Sequence, residues 1–522
     1  MVVDFPIPSK IKQKEIIILI LCLVVGFALR FYTLDQKSLW WDEIYTFNDS
    51  RDGLKGQLQF YKENPTYLHP PLFFVLTHLF YPFQYPERDL RIIPLIFGTL
   101  SIPMIYFLAR SFSPPTALPC VLSLTFMTYH ISLSQDGRSY SLMMFLGMAA
   151  LYFFIKHLRT SKRRYLLGAA IFFGILFYTS YNSIPFIVLS QILWLYKTDQ
   201  ANKRPCLSSF FILNGSVLLL CIPWIFFVTL HYKGQPIMDP RHTEDPGSLW
   251  SIIYWILHDW VPHAPLMISS FILLILFPVW PQLRRNALVL LTFIFLPVAG
   301  VYLFSHLLNI RHFISSRYFI NLMPLFFIAI YFSIHNVELK FERLKRVMRL
   351  SSLFVVLFIT SNFAILPFYY HSQKQDLKGL VLYLKAHLRP GDKLFDGDRI
   401  YTPGILHYFG IYPEGRHYVV SFTKDAEKGI EYKKSFTYRN QIFTIYYSNS
   451  CCAQYVEDGS RLWIISGKEG AKKLKEDRLF VLKGYFDGSF LNFNRFPADA
   501  STYLFLLDPL SPDQKGIDVH IE

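Results

Sequence analysis

The sequence predicts a polytopic α-helical membrane protein that ends in an α/β domain outside the membrane. Only 17% of its 522 residues are charged and 52% are hydrophobic, whereas soluble domains carry about 25% charged residues. About eleven apolar segments follow one another up to residue 370, most of them close to the roughly 20 residues that a spanning helix needs. The composition changes after that point. We therefore expect two domains, 1–370 in the membrane and 371–522 outside it.

The first apolar segment, 15–34, follows Lys10, Lys12 and Lys14. A cleaved signal peptide would have a shorter apolar core and small residues after it. Here Arg30, Phe31 and Tyr32 stand at that position instead. The sequence therefore predicts an uncleaved first helix with its N-terminus in the cytoplasm.

Lysine and arginine gather in short loops, which marks the cytoplasmic side of a membrane protein. The spans that place every basic loop on that side are 15–34, 91–110, 117–134, 140–156, 165–182, 183–197, 207–230, 265–282, 286–306, 318–336 and 350–369. The net charge of +15 follows from these loops and indicates no nucleic-acid partner. We predict a multi-pass protein of the plasma (inner) membrane, with the lipid bilayer as a partner and an extracytoplasmic C-terminal domain.

The segment 69–85 opens with His69, Pro70 and Pro71 and continues as an apolar helix of about 15 residues. That length is short for a span. If this helix crossed the membrane, every later basic loop would move outside, against the positive-inside rule. We therefore expect a helix in the outer interface, within the first outer loop.

With this topology, the ionisable residues outside the basic loops collect on the outer face. They are Asp42, Glu43, His69, Asp136, Arg138, Asp239, Arg241, His242, Arg311 and Arg317. Ionisable residues at a membrane are costly to place and mark functional sites by default.

Asp42 and Glu43 follow Trp40 and Trp41 just after the first span. A carboxylate there is suited to act as a general base or to bind a divalent cation. The alternative is a solvated pair, or acids at a helix N-terminus that the helix dipole favours. Residue type alone leaves both interpretations open.

Three further motifs have a functional and a structural interpretation. His69 is suited to contact a phosphate or a metal, or is an interfacial histidine. Asp136 and Arg138 lie in a polar break between two apolar spans. They are either site residues or an ion pair within an ordinary loop. Arg317 suits a phosphate through its planar donors, but Arg and Tyr318 also suit an interfacial anchor. The charged residues of the loop 231–264 are suited to bind a metal or a substrate, but their spacing matches no ligand motif, which favours a solvated loop.

The tail predicts an amphipathic helix at 376–388, with Leu377, Leu380, Val381 and Leu384 on one stripe. Strands are predicted at 416–421, 461–466, 478–485 and 502–507, the second leading into a Lys-rich helix. None of the six cysteines has the spacing of a zinc site.

The order of these motifs resembles the GT-C membrane glycosyltransferases, most closely the bacterial branch related to protein O-mannosyltransferases and the lipid A aminoarabinose transferase. The motifs are Trp41-Asp-Glu-x-Tyr45, His69-Pro-Pro-Leu72, Arg91-Ile-Ile-Pro94 with Gly98 and Tyr106, Ser134-Gln-Asp-Gly-Arg-Ser-Tyr140, and Arg317-Tyr318 with Pro324. The resemblance is carried by 30–180, is weaker to 370 and is architectural beyond.

The resemblance implies a helical membrane core with interfacial helices in the first outer loop. The substrates would be a polyprenyl-phosphate-linked sugar donor and an extracytoplasmic acceptor, with inversion at the anomeric carbon. Asp42, Glu43 and Asp136 would be catalytic, Asp42 as the base. The substrate-binding residues would be His69, Arg138, Tyr140, Arg317 and Tyr318.

Some members of this superfamily bind a divalent metal cation near the donor phosphate. Leu68 stands where one relative offers an acidic ligand, so the metal site stays unassigned. Two other classes remain open from the residues. A transporter or flippase for a lipid-linked glycan often carries internal repeats, which this sequence lacks. A membrane scaffold would tolerate substitution of Asp42 or Asp136 but not deletion of 371–522.

Overall fold

The computed structural model describes most of the chain. The described residues are 11–63, 69–196, 207–232, 247–276, 284–307, 314–341, 349–398, 401–412, 432–447, 456, 458–488, 499–511 and 514–521. The strand predicted at 416–421 lies outside them, as do Leu68, the charged residues Asp239, Arg241 and His242, and Arg311.

The described residues up to 371 are mostly helical. The helices are α1 Gln13–Phe31, α2 Trp41–Ser50, α3 Leu54–Glu63, α4 Leu72–His78, α5 Pro86–Asp89, α6 Ile92–Phe112, α7 Ala117–Phe126, α8 Thr128–Ser134, α9 Tyr140–Thr160, α10 Arg163–Phe177, α11 Ile184–Ser190, α12 Leu207–His231, α13 Leu249–Trp260, α14 Ala264–Leu276, α15 Arg284–Leu307, α16 Met323–Lys340 and α17 Leu350–His371. A 3-10 segment, Ser316–Leu322, leads into α16.

Among the described residues, six helices are long and apolar enough to cross a membrane, or seven if a bent pair is one span. Several predicted spans are shorter than expected. The segment 183–197 forms the seven-residue α11 and a 3-10 turn, Gln191–Tyr196. The protein is a multi-pass helical membrane protein, as predicted, while the count of eleven spans stays a prediction.

The predicted span 117–134 is broken between α7 and α8, which meet at 62°. Arg30, buried on α1, donates to the carbonyl oxygens of Leu124 (2.8 Å) and Thr125 (3.2 Å) at the end of α7. Asn362 of α17 accepts from the backbone N–H of Thr128 at 2.8 Å. These bonds satisfy backbone groups that the break exposes in an apolar interior. The break directs α8 toward Asp136.

The interfacial helix predicted at 69–85 is shorter than expected. It forms α4, only seven residues long, and a helix of that length rises about 10 Å. It is too short to cross a bilayer, and its position in the outer interface stays a prediction.

After residue 371 the described part of the chain forms a six-stranded mixed sheet with three helices. The elements are α18 Leu377–His387, β1 Lys393–Asp396, α19 Thr402–Phe409, β2 Tyr432–Tyr438, β3 Gln441–Tyr447, β4 Leu462–Ser466, α20 Lys468–Glu476, β5 Val481–Phe486 and β6 Thr502–Leu507. The strand order is β2-β3-β1-β4-β6-β5. β1 is parallel to both β3 and β4, and the other pairs are antiparallel.

The predicted α/β character of the tail is confirmed. The amphipathic helix is α18, with Asp376 as N-cap and the predicted leucine stripe buried. Three predicted strands correspond to β4, β5 and β6, and the step from β4 to a Lys-rich helix is present as α20. The sequence interpretation missed β1, β2 and β3.

The helix that bears Asp42 and Glu43 packs into the core of the C-terminal part. Ile44 and Phe47 of α2 are buried in one cluster with Leu380 of α18 and Ile405 of α19. The apolar face of α2 is therefore covered by the sheet half of the molecule.

Ile44→Ala should lower the melting temperature, because emptying such a buried site costs about 2–5 kcal/mol. Ile44 is 1% exposed, whereas Ile442 on β3 is 71% exposed. Ile442→Ala is the matched control and should leave the melting temperature unchanged. Equal melting temperatures for both variants, measured in detergent, would contradict the shared core.

Candidate active site

Glu43 is the most completely bonded carboxylate of the site. It is 1% exposed, and its oxygens accept from Arg91 Nε at 2.7 Å and Nη2 at 2.6 Å. The backbone N–H of Gly137 donates at 2.7 Å, and that of Trp40, the N-cap of α2, donates at 3.3 Å. Glu43 thereby joins α2, the start of α6 and the loop between α8 and α9.

Gly137 lets this loop approach Glu43. A Cβ at position 137 would lie 3.1 Å from Glu43 Oε1 and 3.3 Å from its Cγ. Glycine removes that crowding and brings Asp136 and Arg138, on either side of it, to the same place as α2.

Asp42 is the carboxylate that remains accessible, with 26% of its side chain exposed. Arg317 Nη1 donates to Asp42 Oδ2 at 3.3 Å, and Arg138 Nε lies 3.9 Å from the same oxygen. Arg138 also donates to the carbonyl oxygen of Asp42 and to Thr46 Oγ1, each at 3.3 Å. Two guanidinium groups therefore converge on one half-open carboxylate.

Asp136 is buried and has a donor on each oxygen. Trp40 Nε1 donates to Oδ1 and Lys374 Nζ to Oδ2, both at 2.9 Å. Burial raises the pKa of this carboxyl, but the charge and hydrogen bond of Lys374 and the bond from Trp40 outweigh it and hold the pKa below its ordinary value. Asp136 is therefore ionised at neutral pH.

Arg317 is 3% exposed and lies among aromatic rings. Its guanidinium carbon is 5.4 Å from the ring of Trp40 and 5.6 Å from those of Tyr140 and Tyr318. These distances are typical of cation–π contacts. The rings exclude water from a cation that still contacts Asp42.

His69 lies at the open side of this group, just before α4. Its side chain is exposed, and the charges of Arg138 and Asp42 act on its ring. The structure thus brings all eight predicted site residues into one region: Asp42, Glu43, His69, Asp136, Arg138, Tyr140, Arg317 and Tyr318. Their roles stay predictions.

The chain between α17 and α18 covers the start of α2, a contact that the sequence interpretation missed. Gln373 Oε1 accepts from the N–H of Ser38 at 2.9 Å, and Gln375 Oε1 accepts from that of Trp41 at 3.0 Å. Lys374, between them, reaches Asp136 and stands 3.4 Å from the centre of the Trp40 ring. The polar residues 372–376, directly after a span, were the sequence feature that could have indicated this contact. A cavity of about 70 Å³ lies beneath it, lined in part by Trp40, Glu43, Asp136 and Lys374.

A further buried carboxyl, which the sequence interpretation also missed, supports the Arg317 segment from the other side. Asp259 on α13 is fully buried and accepts from Ser316 Oγ. Ser316 also bonds Tyr129 at 2.9 Å, and His258 Nδ1 lies 3.3 Å from Asp259. Burial raises the pKa of Asp259 to about 7, although the bonds from His258 and Ser316 oppose it.

The carboxylates present do not fit a divalent metal cation. Glu43 and Asp136 have donors on both oxygens, and Asp42 faces two guanidinium groups that repel a cation. Over the described part of the chain, no three His, Cys, Asp or Glu side chains form a group able to hold a metal ion.

Comparison with known proteins supports the similarity seen in the sequence. Residues 68–227 match the family model described as dolichyl-phosphate-mannose-protein mannosyltransferase. No curated protein sequence gives a significant match.

Two crystal structures of ArnT from Cupriavidus metallidurans share the fold. The apo state superposes with a TM-score of 0.55 at 11% identity, covering 96% of this chain and 99% of that one. The form bound to undecaprenyl phosphate gives 0.52 at 11% identity and the same coverage. The predicted fold class, a helical membrane part followed by a C-terminal α/β part, is thereby confirmed, and the family match agrees with the predicted resemblance.

Glu43→Gln should destabilise the protein strongly, because it leaves the buried charge of Arg91 uncompensated. Breaking a buried pair from one side costs about 3–5 kcal/mol. The exposed pair of Glu469 and Lys472, 4.0 Å apart, gives the control Glu469→Gln, for which no change is expected. Thermal unfolding in detergent compares the two, and an unchanged melting temperature for Glu43→Gln would refute the structural role.

Asp259 should make stability depend on pH. Its folded pKa of about 7 lies above the ordinary value of about 3.9, so its contribution is fully present below pH 4 and is lost as pH rises through 7. Relative to Asp259→Asn, the wild type should therefore have a higher melting temperature at pH 5 than at pH 8. A difference between the two proteins that is the same at both pH values would contradict this.

Proposed function

We propose that this protein is an integral membrane glycosyltransferase that moves a sugar from a polyprenyl-phosphate donor to an extracytoplasmic acceptor. Asp42 would be the general base, and the anomeric centre would be inverted. The observation that carries the proposal is the half-open carboxylate of Asp42 beside the guanidinium groups of Arg317 and Arg138. The matching family model and the ArnT fold supply the reaction class.

The charges of the site favour an anionic ligand. Glu43 is neutralised by Arg91 and Asp136 by Lys374, so Asp42 is the one carboxylate set against Arg138 and Arg317. When these three carboxylates are counted against Arg91, Lys374, Arg138 and Arg317, one positive charge is left over, on guanidinium groups partly shielded by aromatic rings. Arginine suits a phosphate through its paired donors, and ArnT in the same fold binds undecaprenyl phosphate.

Binding of the donor phosphate would also activate the base. The phosphate competes with Asp42 for the guanidinium groups, and a carboxylate that gives up these contacts becomes a stronger proton acceptor. His69, exposed at the open side, would add a donor to the phosphate. Tyr140 and Tyr318 would keep Arg317 oriented.

The reaction then proceeds as a single displacement. Asp42 takes the proton from the acceptor hydroxyl or amine as its heteroatom bonds to the anomeric carbon. The bond from that carbon to the phosphate oxygen breaks, and its electron pair stays on the phosphate, where Arg317 and Arg138 stabilise the charge. Attack opposite the phosphate inverts the centre. No step uses a metal ion.

Glu43 and Asp136 would act on this reaction through Asp42, by holding α2 and the loop 135–139 together. The N-terminus would be cytoplasmic and the sheet domain extracytoplasmic, so that the donor enters from the outer leaflet of the inner membrane. The acceptor, a glycan, lipid or protein, would approach from the outer side.

Asp42→Asn should lower the transfer rate by about 10²–10³, the usual loss when a preorganised contact or a base is removed. The assay incubates purified protein with polyprenyl-phosphate sugars and acceptor candidates and detects product by mass spectrometry. Asp35→Asn, an exposed acid seven residues earlier, is the control and should remain active. Full activity of Asp42→Asn at normal expression would disprove the base assignment, and absence of product with the wild type would count against the transferase.

A further inference from the structure

A second cavity adjoins the candidate active site. It lies between the 3-10 segment Ser316–Leu322, α11 and α15, and its volume is about 90 Å³. Phe186 and Pro297 give it apolar walls, and Asn182, Tyr318 and Asn321 add polar groups. Its described lining has no charged side chain, so it suits neither a phosphate nor a metal cation.

Asn321 is the unusual residue of this lining. It is 4% exposed, yet neither Oδ1 nor Nδ2 has a hydrogen-bond partner among the described residues. Asn362, equally buried, uses both atoms, with Thr128 N–H on Oδ1 and the carbonyl oxygen of Phe358 for Nδ2. Leaving a buried polar group without a hydrogen bond is energetically costly. The amide of Asn321 therefore has one acceptor and two donor hydrogens that no described residue uses.

Gly147 on α9 makes room for this amide. A Cβ at position 147 would lie 2.7 Å from Asn321 Oδ1, a distance that real Cβ atoms do not adopt. The amide thus stands directly against the backbone of α9, in a place that any larger residue would disturb.

Tyr318 connects the cavity to the reacting groups. It lines the cavity, and its ring lies 5.6 Å from the guanidinium carbon of Arg317, which contacts Asp42. A group bound at Asn321 would therefore lie next to the region in which the donor phosphate and the base meet.

We propose that this cavity is a saccharide subsite in which Asn321 bonds a sugar hydroxyl. The proposal rests on the proposed function and names the part of the substrate that this region holds. A hydroxyl both donates and accepts, which matches the two unpaired polar atoms of the amide, and the apolar wall suits the C–H face of a pyranose. The sugar belongs to the donor or to a glycan acceptor, and the test distinguishes these sources.

The test measures ligand affinity in lipid nanodiscs, where no sugar detergent competes. The probes are decaprenyl phosphate, decaprenyl phosphomannose and octyl β-glucoside. Asn321→Leu removes both polar atoms at similar volume, and Asn321→Ala is the second variant in case leucine does not fit. Asn336→Ala on α16 is the control, because the amide of Asn336 is bonded to the carbonyl oxygen of Phe332.

A donor sugar in the subsite predicts that Asn321 variants bind decaprenyl phosphomannose at least about tenfold more weakly, the equivalent of one lost buried hydrogen bond. Their affinity for decaprenyl phosphate should not change. An acceptor sugar predicts the same loss for octyl β-glucoside alone. The control should match the wild type throughout.

Unchanged affinity of both Asn321 variants for all three probes would overturn the proposal and leave only ordered water at the amide. So would a wild type that binds neither sugar probe. A wild type that fails to bind decaprenyl phosphate would instead count against the proposed function, which keeps the two failures separate.

Discussion

The buried ion pair between Glu43 and Arg91 is the constraint on which the rest of the site depends. Arg91 also donates to the carbonyl oxygens of Leu34, Lys37 and Ser38, so the whole turn before α2 is shaped around one guanidinium. Glu43 also accepts a hydrogen bond from the backbone N–H of Gly137, which attaches the loop 135–139 to the same pair. Segments separated by almost a hundred residues are thereby held together in surroundings where an unpaired charge would be very costly.

The three carboxylates of this region are alike in sequence and differ in their partners. Glu43 is saturated by Arg91 and two backbone groups, and Asp136 is neutralised by Lys374. Asp42 alone keeps a solvent-exposed edge. A base has to reach its proton directly or through one water, so this difference in bonding separates the residue suited to chemistry from the two suited to support.

The sequence could predict those features that depend on residue type and order, such as the helical membrane part, the acidic motif and the amphipathic α18. It could not predict contacts made across long stretches of chain, such as that of Lys374 with Asp136 or of Asp259 with Ser316. The hairpin β2–β3 was not predicted, because its turn places Arg439 and Asn440 at positive φ. Glycine is the residue that usually indicates such a turn. The predicted helix lengths were too long where an apolar segment ends in a turn, as it does after α11.

The shared core of α2 and the sheet half limits which parts of the chain can be deleted or exchanged separately. Ile44 and Phe47 belong to the hydrophobic core of the C-terminal part. Gln373 and Gln375, in the segment between α17 and α18, accept hydrogen bonds from the backbone at the start of α2. Deleting 371–522 would uncover the acidic helix itself, so loss of function on truncation would not distinguish an enzyme from a scaffold. In a chimera that exchanges C-terminal halves between relatives, the new half would not match the side chains of α2 that pack against it. The chimera would also have to exchange residues 38–50. The acidic helix and the sheet therefore have to be exchanged as one unit, although six apolar helices of the described chain and more than 300 residues separate them in sequence.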